Sequence, residues 1–230
     1  MTMAPITGIS SLATRALLAE LGAAYPRHGG AAVTMTSIGG LDAARRVRAG
    51  DTFDVIVLAR DALDGLAADG HLRPGSRVDL VGSPAAAAVP AGAPRPAIGS
   101  EAGLRDALTR ARRVGFSTGP SGVHFAALVQ RWGLAETLRD RLFQAPTGVP
   151  VADLLARGEV DLGVQQLSEL IDRDGVDVLG PLPGEAAFET VFAGGVGAAS
   201  TQPAAAAALL AFLASPATAD IKRRHGMVPA

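Results

Sequence analysis

Short apolar runs that read as strands alternate along the chain with stretches whose apolar residues recur near the helical period. That is the pattern of a parallel sheet covered by helices on both faces, an α/β fold. Residues 5–9 predict a strand and 10–25 a helix, with Leu12, Leu17, Leu18 and Leu21 near the period. Residues 32–36 predict the next strand; Gly39–Gly40 opens a helix over 41–49, and Gly50 stops it. The run DVIVL, 54–58, is continuously β-branched or apolar after its first residue, as a strand buried on both faces requires. A helix carrying Leu63 and Leu66 follows.

Residues 78–81 and 85–89 read as two strand pieces, and the Pro-, Gly- and Ala-rich stretch 90–96 as a loop. A helix is predicted over 101–112 and a strand over 113–116. The sequence STGPSG (117–122) then stands immediately before a helix that reaches Trp132. Further on come a helix at 149–156, the strand DLGVQ at 161–165, a helix at 167–173, and strands at 176–179 and 189–199. Helices at 203–213 and 216–224 finish the chain. There is no fixed-period repeat and no heptad pattern. No uninterrupted apolar stretch approaches the roughly 20 residues of a membrane span.

Composition narrows the function. A length of 230 residues suits one large domain or two small ones, and 48% hydrophobic with 19% charged residues is globular. A net charge of -1 with no block of like charges argues against a nucleic-acid partner, which calls for a basic face. With no cysteine there is no disulfide, thiolate nucleophile or Cys-based metal site. No His-Glu-x-x-His, Gly-x-Ser-x-Gly or dinucleotide spacing occurs, so no metal, cofactor or serine-hydrolase elbow is expected. No Lys or Arg precedes Arg15, and Ser10, Ser11 and Thr14 interrupt the first apolar stretch, unlike a secretory signal. The expectation is a cytoplasmic chain without membrane insertion. If an export signal has been removed, the periplasm is expected instead, with an ABC permease as partner.

Four segments resemble the type-2 periplasmic binding proteins, and within them the molybdate-binding group. They are the strand entering a helix through Ser10-Ser11-Leu12, the Arg-Ala-Gly helix end followed by FDVIVLARD (53–61), the Gly-Pro-Ser-Gly turn, and ARGEVDLGVQQ (156–166). The tail FLASPATADIKRRHGMVP (212–229) is also similar. The resemblance implies two lobes, residues 1–82 with 188–230 and residues 83–187, joined by crossovers near 81–86 and 181–188. It also implies a small anion bound in the cleft between lobes that close by a hinge. Relatives on this scaffold include the aconitate isomerases, which shift a proton and a double bond in a small polycarboxylate.

Candidate residues follow from helix starts and strand ends. Ser10 and Ser11 stand where a strand becomes a helix, where free N–H groups favour an anion; an ordinary N-cap uses the same geometry. Ser37, Gly39 and Gly40 form the matching turn of the next strand. The molybdate binders carry a serine cluster there, so Gly-Gly speaks against molybdate, although it also fits a plain tight turn. Arg60 follows the buried strand, placed either to clamp a carboxylate or to pair with Asp61 or Asp64. Ser117, Thr118, Ser121 and Gly122 form the second nest, with an empty N-cap as the alternative. His124, in the first turn after it, is the first candidate for a general base, ahead of Asp61; a purely structural histidine is the competing reading. Gln165 and Gln166 end a strand, where the molybdate binders often carry a tyrosine, and Gly148 offers a backbone N–H. The expected function is cofactor-free isomerisation of a di- or tricarboxylate. The alternatives are an oxyanion receptor of an ABC transporter and a cytoplasmic ligand sensor.

Overall fold

The computed structural model describes residues 4–230. In chain order it has β1 (Ile6–Ser11), a 3-10 turn (Leu12–Thr14), α1 (Arg15–Ala24), β2 (Val33–Ile38), α2 (Gly40–Arg48), β3 (Val55–Ala59), α3 (Arg60–Ala68) and β4 (Val78–Pro90). Then come α4 (Glu101–Arg110), β5 (Val114–Phe116), α5 (Pro120–Arg131), α6 (Ala135–Leu138), β6 (Leu142–Gln144), α7 (Val151–Ala156), β7 (Leu162–Gln166) and α8 (Leu167–Leu170). The chain ends with β8 (Val176–Pro181), β9 (Glu189–Val196), α9 (Pro203–Ala214), α10 (Ala219–Arg224) and β10 (Val228–Pro229). It divides into two compact units. The first runs up to Gly82 and resumes with Val191–Ala230; the second is Ser83–Thr190.

In the first unit β1 pairs in parallel with β2 and with β3, and β9 runs antiparallel to β3. Alternation along the strands fills two separate cores. Ile6, Val55 and Val57 pack with Leu17, Leu18 and Leu21 of α1 and with Leu209 and Leu210 of α9. Ile9, Ile56 and Leu58 pack with Val47 of α2 and with Leu63 and Leu66 of α3. DVIVL is therefore apolar at consecutive positions because each of its faces meets a helix layer.

The second unit has β5 in parallel with β6 and β7, and β4 antiparallel to β7 and β8. Val114, Phe116, Leu162 and Val164 pack with α4 and α5 through Leu104, Leu108, Phe125 and Leu128. Ala86 and Ala88 pack with Val151, Leu154 and Leu155 of α7 on another side. Both units are thus mixed sheets rather than the purely parallel arrangement that the alternation of elements predicts.

Several boundaries move for identifiable reasons. Strand β1 continues through Ser11 because its six residues register against Val33–Ile38, so the helix expected from residue 10 begins at Arg15 after one 3-10 turn. The two predicted strand pieces at 78–89 are one strand of 13 residues. Its first part pairs with β10 at Val81 and Gly82 and its second with β7 from Ala85 onward; Pro84, with no N–H to donate, falls between the ladders. The helix expected at 167–173 is one turn, α8. Strands β6 and β10 were not predicted, being three and two residues long. Among the described residues no single helix is long and apolar enough to cross a membrane.

Candidate functional site

The first unit gathers Ser10, Ser11, Ser37 and Gly40. Parallel pairing puts Ser10 level with Ser37 and Ser11 level with Ile38 at the carboxyl ends of β1 and β2. The Ser10 and Ser37 hydroxyls lie 2.8 Å apart, within hydrogen-bonding distance, and Ser10 is fully buried. Ser11 caps the 3-10 turn, its Oγ accepting a long 3.4 Å bond from the Ala13 N–H. A Cβ on Gly40 would lie 3.8 Å from the Ser11 Oγ, so the start of α2 and the end of β1 are neighbours. Gly39 is the N-cap of α2 with φ −54°, and no side chain caps that helix. Its first N–H groups are therefore available to an acceptor. Neither glycine adopts a left-handed backbone.

Arg60 opens α3, and its guanidinium is engaged in two directions by one acid: Nε–Oδ1 at 3.3 Å and Nη2–Oδ2 at 2.7 Å of Asp79. Arg77 bonds the same carboxylate and also Asp64, giving a four-member network. The partner is thus neither Asp61 nor Asp64. Asp61 is exposed in the first turn of α3. A cation that the sequence reading passed over is Arg15, the first residue of α1, which makes no ion pair among the described residues. With Leu18, Gly22, Met35 and Ser37 it lines a surface depression of about 510 Å³ along α1 and β2.

The second unit gathers Ser117, Thr118, Ser121 and Gly122 between β5 and α5. Ser117 and Ser121 are buried with their hydroxyls 3.2 Å apart, and the Gly119 N–H donates to the Ser117 Oγ at 3.3 Å. The absolute requirement here is at Gly122. A Cβ on it would come within 1.7 Å of the Ser117 carbonyl oxygen. Only glycine lets the first turn of α5 close onto the end of β5.

His124 lies in that same first turn. Its ring stacks on Phe188, with centroids 4.3 Å apart and planes 11° from parallel. Its Nε2 is buried with no hydrogen-bond partner. Burial pushes its pKa below the usual histidine value, the nearby Arg131 charge adds to that, and the Ala186 bond opposes both. The ring is neutral at neutral pH. In the neutral ring one nitrogen carries the proton and the other a lone pair.

The two glutamines at the end of β7 separate in role. Gln165 Oε1 accepts the Val151 N–H at 2.7 Å and so caps α7. Gln166 bonds Thr190 Oγ1 through Nε2, and its Oε1 is buried without a partner. Gly148 is exposed in a left-handed turn with φ +79°. Sequence reasoning missed Thr190, Phe188 and the contact between buried Ser83 and Ser168, whose hydroxyls are 3.2 Å apart. The only sequence signal for that pair is a serine interrupting the apolar run 78–89. No group of acids and histidines suited to a metal ion occurs among the described residues.

Two mixed α/β units with hydroxyl-lined turns at strand ends define a two-lobed periplasmic-binding-protein fold. Solved structures agree across nearly the whole chain. The periplasmic molybdate-binding protein of Azotobacter vinelandii has a TM-score of 0.81 at 19% identity, covering 97% of this chain and 98% of that one. The sulfate-binding protein SubI of Mycobacterium tuberculosis has a TM-score of 0.75 at 17% identity, covering 99% and 88%. Residues 6–228 match the bacterial extracellular solute-binding protein family, and the chain belongs to it. An aconitate isomerase of a Pseudomonas species is 36% identical over 185 residues, 80% of this chain and 70% of that protein.

Proposed function

We propose that the protein binds a small di- or tricarboxylate and interconverts its isomers by cofactor-free proton transfer, with His124 as the base. The observation that carries this reading is the unpartnered Nε2 of a neutral histidine beside a hydroxyl-lined helix start. The likeness to an aconitate isomerase supports the same chemistry.

In this mechanism the Nε2 lone pair takes a proton from a carbon next to a ligand carboxylate. The electron pair left behind spreads into that carboxylate as enolate-like charge, and the double bond shifts. The imidazolium then returns the proton to the far end of the new double bond, so no atoms are gained or lost. The Ser117 and Ser121 hydroxyls and the Ser121 N–H are the donors closest in sequence to the developing charge, the Gly122 and Val123 N–H groups being bonded to the Gly119 carbonyl. Arg60 remains the proposed carboxylate contact of the first unit only if it leaves Asp79, and Asp61 is second to His124 as base.

The test is proton exchange. Incubated with trans-aconitate in D2O, the wild type should incorporate deuterium, while His124→Ala should bind but lose exchange by about 100-fold or more. Because the His124 pKa is lowered, kcat/KM should hold down to about pH 6.5 and fall only below it. Binding of molybdate with no binding of any carboxylate would overturn the proposal. A second reading, a receptor for an oxyanion, is favoured by the two hydroxyl pairs, Ser10–Ser37 and Ser117–Ser121, which bind through neutral donors. A thermal shift by molybdate or sulfate, absent with carboxylates, is its signature.

A further inference from the structure

We propose, independently of the carboxylate reading, that the outer edge of β2 docks an extended acidic segment of a partner protein. The segment adds to the sheet as an antiparallel strand, with its carboxylate on Arg15.

Strand β2 ends the sheet order and pairs only with β1 among the described residues. The bond from the Ile6 N–H to the Ala32 carbonyl sets the phase of that parallel ladder, in which alternate residues of β2 bond β1. The N–H and C=O groups of Val33, Met35 and Ser37 therefore point outward, a row of donors and acceptors that another strand can complete. Sheet edges are commonly blunted by a charge, a proline or a bulge. Here the chain from Gly29 to Leu41 carries no charged residue and no proline, and the six β1–β2 pairs run without a register shift. The edge is open to pairing.

Side chains beside the edge give the occupant its character. Val33 and Met35 are half-buried and, with Leu18, Ala19 and Gly22 of α1, wall the depression of about 510 Å³. Thr34 and Thr36 are exposed. A Cβ on Gly22 would lie 3.5 Å from the Val33 Cβ, so α1 runs back along β2 and its first residue, Arg15, stands at the Ser37 end. That guanidinium is exposed, and no acidic residue lines the depression with it. An antiparallel strand, the more stable pairing per residue, starts at the Arg15 end. Opposed residues share a face, so its first, third and fifth side chains enter the depression: an acid, then two apolar residues.

A second copy of this chain fits worse. Pairing β2 with itself about a two-fold axis reverses the ends, so Arg15 meets the copy's Val33 end. Pro26, Arg27 and His28 stand there and supply no negative charge.

The probe is the peptide acetyl-Glu-Thr-Val-Thr-Val-Thr-amide with a fluorophore at its C-terminal end, titrated with the full chain and followed by fluorescence anisotropy at low ionic strength. It should bind with a Kd below about 1 mM, and the same peptide with lysine in place of glutamate about fivefold more weakly. Arg15→Glu should invert that preference. N-methylation of the first valine removes an N–H that faces β2 and leaves the protein unaltered, so it should abolish binding. N-methylation of the second threonine, whose N–H faces away, should not. Absence of binding at about 1 mM, equal affinity for the glutamate and lysine peptides, or equal tolerance of the two methylations overturns the inference. So does a dimer in sedimentation velocity that Thr34→Lys dissociates, because a second copy then holds the edge.

Discussion

Substituting Gly122 by alanine tests whether the packing of α5 on the end of β5 builds the second-unit turn. An alanine Cβ would stand 1.7 Å from the Ser117 carbonyl oxygen, against a closest tolerated approach of 3.0 Å. Ser117 or the start of α5 must therefore move by about 1.3 Å. Both are backbone, and both are anchored by the buried Phe116 and Phe125 that pack together in the core. Overpacking of this kind costs about 1–3 kcal/mol, which lowers the thermal midpoint by roughly 2–12 °C for a chain of this size. The same movement separates the Ser117–Ser121 pair, and a displacement near 1 Å at a reacting site costs on the order of 100-fold in rate. Gly119→Ala is the control. Its Cβ would meet only the Ser117 Oγ at 3.6 Å, an ordinary contact, and its φ of −81° suits any residue. Thermal unfolding followed by circular dichroism, with ligand titration, should show a large loss for Gly122→Ala and a change within about 1 kcal/mol for Gly119→Ala. Equal midpoints for Gly122→Ala and the wild type would refute the reasoning.

Two other buried groups outside the site make further predictions. Lys222, on α10, is 1% exposed, its ammonium makes no hydrogen bond or ion pair among the described residues, and burial lowers its pKa. The unfolded chain then binds the extra proton, so wild-type stability should rise with pH up to about 10.4; Lys222→Met should remove that slope and stabilise at pH 7 by about 1–3 kcal/mol. A destabilised Lys222→Met would count against it. Asp54 is buried, which by itself raises its pKa, but bonds from Ser200, Thr7 and Gln202 together outweigh burial and lower it. Its stabilising contribution is complete above about pH 4 and lost as pH falls through the lowered folded value. Ser200→Ala should cost about 1.5–3 kcal/mol at pH 7 and move acid unfolding to higher pH, measured by urea titration across pH 2–7. An unchanged acid limb would show that the Ser200 bond is not coupled to ionisation.

The order of the longer strands and helices, the buried DVIVL strand and the turns before α2 and α5 were legible in the chain, because each is a local signal; the short α6, β6 and β10 were not. Periodicity, β-branching and glycine or serine at a helix start need no distant partner to be read. Ser11, Gly40, Ser117 and Ser121 came from that reasoning, and the structure brings them into two clusters, one per unit. Strand direction was not legible. Whether β9 runs with or against β3 depends on where the chain returns, and the same apolar run serves both.

What tertiary contact alone decided is which polar atoms are used up. In the chain Arg60 read either as a carboxylate clamp or as the partner of Asp61 or Asp64, but Asp79, nineteen positions later, occupies it. Gln165 and Gln166 are indistinguishable as neighbours in sequence, yet one caps a helix and the other keeps an open amide end. The reason is physical: a hydrogen bond is satisfied by whatever group arrives within about 3 Å, and long-range packing, not local pattern, decides what arrives. The sequence by itself determined the kind of fold and the helix starts suited to an anion; the folded chain determined that His124 and Gln166 keep a polar atom without a partner.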